Sequence, residues 1–223
     1  MYFFFDLDGP ILDVSQKYYR VYFDLVNGQG EVPISKRDYW ESKRQRMPDE
    51  KILEQSKLSH WYKEFQAIRK SKIETTQYLK FDAVWCGISE MLSILSNKYP
   101  LFLVTLRSSR EMLIWQIEYL KIKSHFTAIL SAPGDISPNG KASIKNNLVR
   151  RYLGLNDEQK IEGWFIGDTE TDVNAGKALG TETAAVTFGI RTVEQLKQVE
   201  PNIMLMTPQD LICWLEQCNS SDA

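Results

Sequence analysis

A chain of 223 residues that is 43% hydrophobic and 25% charged has apolar material for one large core, or for a domain carrying a smaller one. Its formal net charge of −2 gives no global attraction to nucleic acid, and no apolar run approaches the roughly 18 residues a membrane span requires. Cys86, Cys213 and Cys218 lack metal-type spacing, so reduced thiols in a cytoplasmic protein are expected. No basic segment precedes the first apolar run, and a signal peptide is not expected.

Tyr2-Phe3-Phe4-Phe5 reads as a buried strand that ends on two carboxylates, Asp6 and Asp8, with Gly9-Pro10 turning the chain away. After Pro10 the pattern predicts a helix through Ile11, Leu12, Tyr18, Tyr22 and Leu25, broken at Gly28-Gln29-Gly30. From Val32 to about Lys80 apolar positions recur at three- and four-residue spacing, which predicts helices and no strand. Residues 36–80 carry 12 Lys or Arg against 7 Asp or Glu, a local excess of +5 that leaves −7 for the remainder. Trp61, Tyr62 and Phe65 are expected to form the core of this helical segment rather than a stacking platform.

Strand and helix then alternate. A helix is predicted over 87–97, a strand over 101–105, and a helix opened by the capping box Ser108-Ser109-Arg110-Glu111. A third strand over 127–130 leads into a Pro/Gly/Asn loop and a helix over about 142–152. A fourth strand, 163–168, precedes a helix over about 171–179. Strands at 184–188 and 203–206 follow, with a last helix opened by Thr207-Pro208 and a loose tail from Asn219. This alternation predicts a three-layer α/β core, a parallel sheet covered on both faces in the Rossmann-like manner.

Polar residues collect where such a sheet binds ligands, at the C-terminal ends of its strands. Asp6 and Asp8 end the first strand, Thr105 the second and Asp168 the fourth. Asp172 follows one helical turn after Asp168, and Lys141 opens the helix after the third strand. Four carboxylates gathered there repel one another, and a hard divalent cation removes the difficulty. An all-oxygen donor set without His or Cys favours Mg²⁺, which commonly pairs with a phosphate. Thr105 and Lys141 are suited to phosphate oxygens, one by a hydroxyl hydrogen bond and one by charge.

This arrangement resembles the haloacid dehalogenase-like superfamily. Asp6-Leu7-Asp8-Gly9 is similar to its first motif, Thr105 to its second, Lys141 to its third and Gly167-Asp168-Thr169-Glu170-Thr171-Asp172 to its fourth. Ala175, Ala178-Leu179-Gly180 and the Ala185–Gly189 strand resemble the phosphoglycolate phosphatase-like branch, whose small cap domain sits where the helical insert lies. The resemblance implies a core of residues 1–14 and 81–223 with an all-helical cap of residues 15–80 after the first strand. It implies a Mg²⁺-dependent phosphatase acting on a small phosphorylated metabolite. Asp6 would be the nucleophile and Asp8 the general acid and base. Mg²⁺ would lie on Asp6, the Asp8 backbone carbonyl, Asp168 and Asp172, and Thr105 and Lys141 would stabilise the transferring group.

The resemblance does not decide everything. The second motif continues Leu106-Arg107 rather than with the commoner Asn, and Arg107 is either a contact to a substrate anion or a surface arginine. Arg44 and Arg46, in the turn Lys43–Asp49, are candidates for gripping a carboxylate or second phosphate, against the alternative of a solvated basic face. A phosphomutase of the β-phosphoglucomutase type, using the same aspartyl-phosphate, stays open beside hydrolysis, as does a non-catalytic phosphate-binding protein. A monomer or weak homodimer is expected, with no nucleic-acid or membrane partner.

Overall fold

The computed structural model describes residues 1–132 and 140–220, and the chain divides into two compact units. The first comprises Met1–Asp13 and the chain from Val84 on; the second is Val14–Ala83. In the first unit, strands β1 (Tyr2–Phe5), β4 (Leu101–Thr105), β5 (Ala128–Ser131), β6 (Gly163–Gly167), β7 (Glu182–Val186) and β8 (Ile203–Leu205) form one sheet in the order β5-β4-β1-β6-β7-β8. Every pairing in it is parallel. Helices α6 (Ile88–Ser96), α7 (Arg110–Tyr119), α8 (Lys141–Leu153), α9 (Glu170–Leu179), α10 (Val193–Lys197) and α11 (Pro208–Ser220) supply the connections and the final element. The short strands β2 (Leu12–Asp13) and β3 (Ala83–Val84) form a separate two-stranded sheet.

The triple phenylalanine of β1 explains its central place. A strand buried on both faces needs apolar side chains at consecutive positions. Phe4 faces a core of Phe102, Val104, Phe165, Val149 and Leu179. Phe3 points the other way, against Tyr99 and the edge of Trp214 on α11. Asp6 and Asp8 leave this central strand at its C-terminal end, beside the ends of β4 and β6.

The second unit contains α1 (Ser15–Gly28), α2 (Lys36–Arg44), α3 (Asp49–Glu54), α4 (Tyr62–Lys72) and α5 (Thr76–Leu79). Its core gathers Val21, Tyr22, Val26, Tyr39, Leu53 and Phe65, with Trp61 and Tyr62 packed against it. Tyr22 and Tyr39 stack at 4.4 Å between centroids, and a buried Lys17–Asp82 ion pair of 2.7 Å joins the segments where the chain enters and leaves. Among the described residues no helix is long and apolar enough to cross a membrane, and none of the cysteines is in a disulfide.

Several elements differ from the sequence reading. Ile11 and Leu12 do not start the first helix: Leu12 donates its N–H to the Leu7 carbonyl and enters β2, so α1 begins only at Ser15. Asn219 and Ser220, expected in a loose tail, continue α11. α10 was not predicted; its Thr192/Gln195 capping box stabilises a helix of only five residues. The Pro/Gly/Asn loop before α8 falls largely on residues 133–139, outside the described residues.

Candidate active site

The site is built from the C-terminal ends of β1, β4 and β6 and the starts of α8 and α9. Asp6 continues the β1 ladder, donating its N–H to the Ile166 carbonyl at 2.9 Å. Asp168 leaves β6, and Asp172 sits in the first turn of α9. One carboxylate oxygen from each of Asp6, Asp168 and Asp172 lies within 4.8 Å of the others, and all three residues are buried.

One ammonium reaches into this cluster. Lys145 Nζ donates to Asp6 Oδ1 at 2.7 Å and to Asp172 Oδ1 at 2.6 Å. This corrects the sequence reading, which gave the position to Lys141. Lys141 opens α8 one turn earlier, half-buried, and makes no ion pair with a described residue. The signal for Lys145 was available: it lies three residues after Ala142 and four before Val149, both on the apolar side of α8. A lysine on such a stripe is buried only when carboxylates meet it.

Asp172 has both oxygens engaged. Its Oδ2 accepts from the Thr169 N–H at 3.0 Å and the Thr169 hydroxyl at 2.6 Å, so it closes a capping box on α9 while Oδ1 holds Lys145. Asp168 accepts the backbone N–H of Ile190 on Oδ2 at 2.6 Å. Glycines make the room for it: a Cβ at Gly9 (φ +98°) or at Gly189 would overlap the Asp168 side chain. Sequence reasoning missed the roles of Ile190 and Gly189, because the contact comes from the loop after β7 and carries no local pattern.

Asp8 sits in a tight turn in which Gly9 donates to the Leu12 carbonyl at 3.0 Å. Its Oδ1 accepts from Arg107 Nη2 at 2.6 Å, and the Arg107 side chain is 8% exposed. Arg107 is therefore no surface arginine; it is a buried partner of Asp8. Thr105, the last residue of β4, is buried opposite Ser131 of β5. Arg44 and Arg46 belong to the helical unit, where Arg44 ends α2 and exposed Arg46 adopts φ 60° in the turn before α3.

The electrostatics are those of a site short of positive charge. Burial pushes the Asp6 carboxyl up to about 7, with Asp172 and Asp8 adding repulsion and Lys145 opposing it. Burial, then the Asp172 and Asp6 charges, raise Asp168 well above the ordinary range against the Ile190 hydrogen bond. Burial works against the charge on Lys145, but Asp172 and Asp6 outweigh it and hold its ammonium above the ordinary lysine range. One ammonium among three carboxylates leaves the cluster anionic, and its donors are all oxygen. Such a set fits a hard divalent cation.

The family model described as haloacid dehalogenase-like hydrolase matches residues 3–186. A phosphoglycolate phosphatase of Synechococcus elongatus is 22% identical over 214 residues, 93% of each chain. A haloacid dehalogenase-like family hydrolase of Streptococcus pneumoniae superposes with a TM-score of 0.65 at 22% identity, over 96% of this chain and 97% of the other. Protein Tyrosine Kinase A of Mycobacterium tuberculosis superposes with a TM-score of 0.71 at 18% identity, over 96% and 97%. At such identities the structural likeness speaks for the fold alone. The family match runs from β1 through β7 and takes in Asp6, Lys145, Asp168 and Asp172, and the chain belongs to the haloacid dehalogenase-like hydrolases.

Proposed function

We propose that this protein is a Mg²⁺-dependent phosphatase that hydrolyses a small phosphomonoester through an aspartyl-phosphate on Asp6. The observation that carries the reading is the cluster of Asp6, Asp168 and Asp172 around Lys145 at the end of the central strand. In the first step an Asp6 oxygen attacks phosphorus and the bond to the leaving oxygen breaks, with Asp8 giving that oxygen a proton. In the second a water attacks the same phosphorus, gives its proton to Asp8 and releases phosphate from Asp6.

Asp6 and Asp168, the Asp8 backbone carbonyl and, directly or through water, Asp172 would hold Mg²⁺, which when bound neutralises charge on the phosphoryl oxygens. Lys145 keeps the Asp6 carboxylate ionised and aimed, and shares the charge that grows on the transferring group. Thr105 offers a hydroxyl to a phosphoryl oxygen. Arg107 holds the Asp8 carboxylate through Oδ1 and so orients the proposed general acid. Arg44 and Arg46 are assigned to substrate selection in a cap formed by the helical unit.

The test is phosphate release from a panel of sugar phosphates, nucleoside monophosphates and phosphoglycolate, the compound named in the Synechococcus relative. Release is expected with Mg²⁺, none in chelator, and recovery when Mg²⁺ is restored. Release that continues undiminished in chelator sinks the metal assignment. A phosphoryl shift within a sugar phosphate, without net release and dependent on a bisphosphate, replaces the hydrolase with a mutase.

A further inference from the structure

Trp85 takes no part in the reaction above, yet it joins two loops that wall in Asp168. Its indole Nε1 donates to the carbonyl oxygen of Gly9 at 2.7 Å, and its backbone N–H donates to the Ile11 carbonyl at 3.1 Å. Its ring meets Phe188 edge to face, with centroids 5.4 Å apart and planes at 89°. Gly9 lies so close to Asp168 that a Cβ there would overlap its side chain. Gly189, the neighbour of Phe188, packs on Asp168 in the same way, and Ile190 donates its N–H to Asp168 Oδ2.

The two loops leave β1 and β7, which are not neighbours in the sheet, since β6 lies between them. Ladder hydrogen bonds therefore do not fix one loop against the other. Trp85 touches both, the first through a hydrogen bond and the second through its ring.

We propose that Trp85 is a positioning residue of the metal site, fixing the Asp8–Gly9 turn and the Phe188–Ile190 turn so that the Asp168 carboxylate has one place to stand. The inference rests on the Mg²⁺ reading of the carboxylate cluster. A metal site tolerates misplacement of its ligands by only about 0.5 Å, and loss of an outer partner typically weakens binding about 10- to 100-fold.

The test is Mg²⁺ binding by titration calorimetry, with no substrate present, on the full chain and on Trp85→Phe, Trp85→Leu and Trp214→Phe. Trp85→Phe keeps a ring against Phe188 but loses the donor to Gly9; Trp85→Leu loses both. Trp214 packs on Trp164 and Phe3, among core aromatics, and controls for softening of the fold. We expect Kd to rise about tenfold in Trp85→Phe, further in Trp85→Leu, and not in Trp214→Phe. Wild-type affinity in folded Trp85 variants overturns the proposal, as does an equal loss in Trp214→Phe. If Trp85→Leu does not fold, Trp85→Phe decides alone. A wild-type protein that binds no Mg²⁺ removes the metal reading itself, a result distinct from the other two.

Discussion

At the scale of single residues, the site depends on how one ammonium is shared among carboxylates. Lys145 is bonded to both Asp6 and Asp172, whereas Lys141 touches neither. Lys145→Met should lower kcat by about 100-fold or more, in line with loss of a preorganised charge partner. Lys141→Met should stay within about threefold of wild type, since a half-exposed lysine outside the charge network contributes little. Steady-state kinetics of the two variants under one set of conditions checks this, and the reverse order would return the role to Lys141. The raised carboxyls of Asp6 and Asp168 carry a pH signature. An acid that titrates higher when folded holds its proton more tightly in the folded state. Stability of the metal-free protein should therefore fall as pH rises from the ordinary value of 3.8 through about 7. On the proposed Mg²⁺ reading the bound cation would relieve that repulsion, so its lift in Tm should be larger near pH ~8 than near pH ~5. Melting curves with and without Mg²⁺ at the two pH values decide it; an equal lift at both would contradict the charge account. The sequence made Asp6, Asp8, Asp168 and Asp172 readable because each ends or follows an apolar run. It hid the Asp8–Arg107 and Lys145 pairings, because partners 99 and 139 residues apart meet only through the sheet order.

Among elements, a buried acid, Asp49, ties together three helices of the helical unit. Asp49 opens α3 and accepts Lys43 of α2 at 3.1 Å, and Gln66 and Arg69 of α4 at 3.2 Å each. The alternative of a solvated basic face does not hold at Asp49, whose side chain is 6% exposed. Burial alone would raise its pKa, but Lys43 and Arg69 outweigh it and hold it below 3.8. A depressed acid contributes stability above its unfolded pKa, and that contribution is lost as pH falls through the folded value. Asp49→Asn should cost about 2 kcal/mol at neutral pH, the worth of charge-assisted hydrogen bonds, and the gap from wild type should close in acid below the ordinary carboxylate range. Urea melts at neutral and acid pH test both statements. The long strands and helices were legible because period and composition agree along them. The misread elements were short: β2 and α10 are two and five residues long, and their form is set by partners outside the local pattern.

For the whole molecule, the parallel sheet follows from runs such as Phe3–Phe5 and Leu101–Val104, which are apolar at every position and therefore buried on both faces. Its order, β5-β4-β1-β6-β7-β8, is not written in those runs; it places the strand that leads into Asp6 between the strands ending in Thr105 and Gly167. That order gathers the carboxylate cluster and Lys145 at one end of the first unit. The most direct test of the central claim is to stop turnover with acid in the presence of Mg²⁺ and a hydrolysed phosphomonoester, then to map phosphate on the peptides by mass spectrometry. The account predicts phosphate on Asp6 in the wild-type protein, and a folded Asp6→Asn variant with neither label nor phosphate release. Phosphate release by Asp6→Asn at the wild-type rate would contradict it.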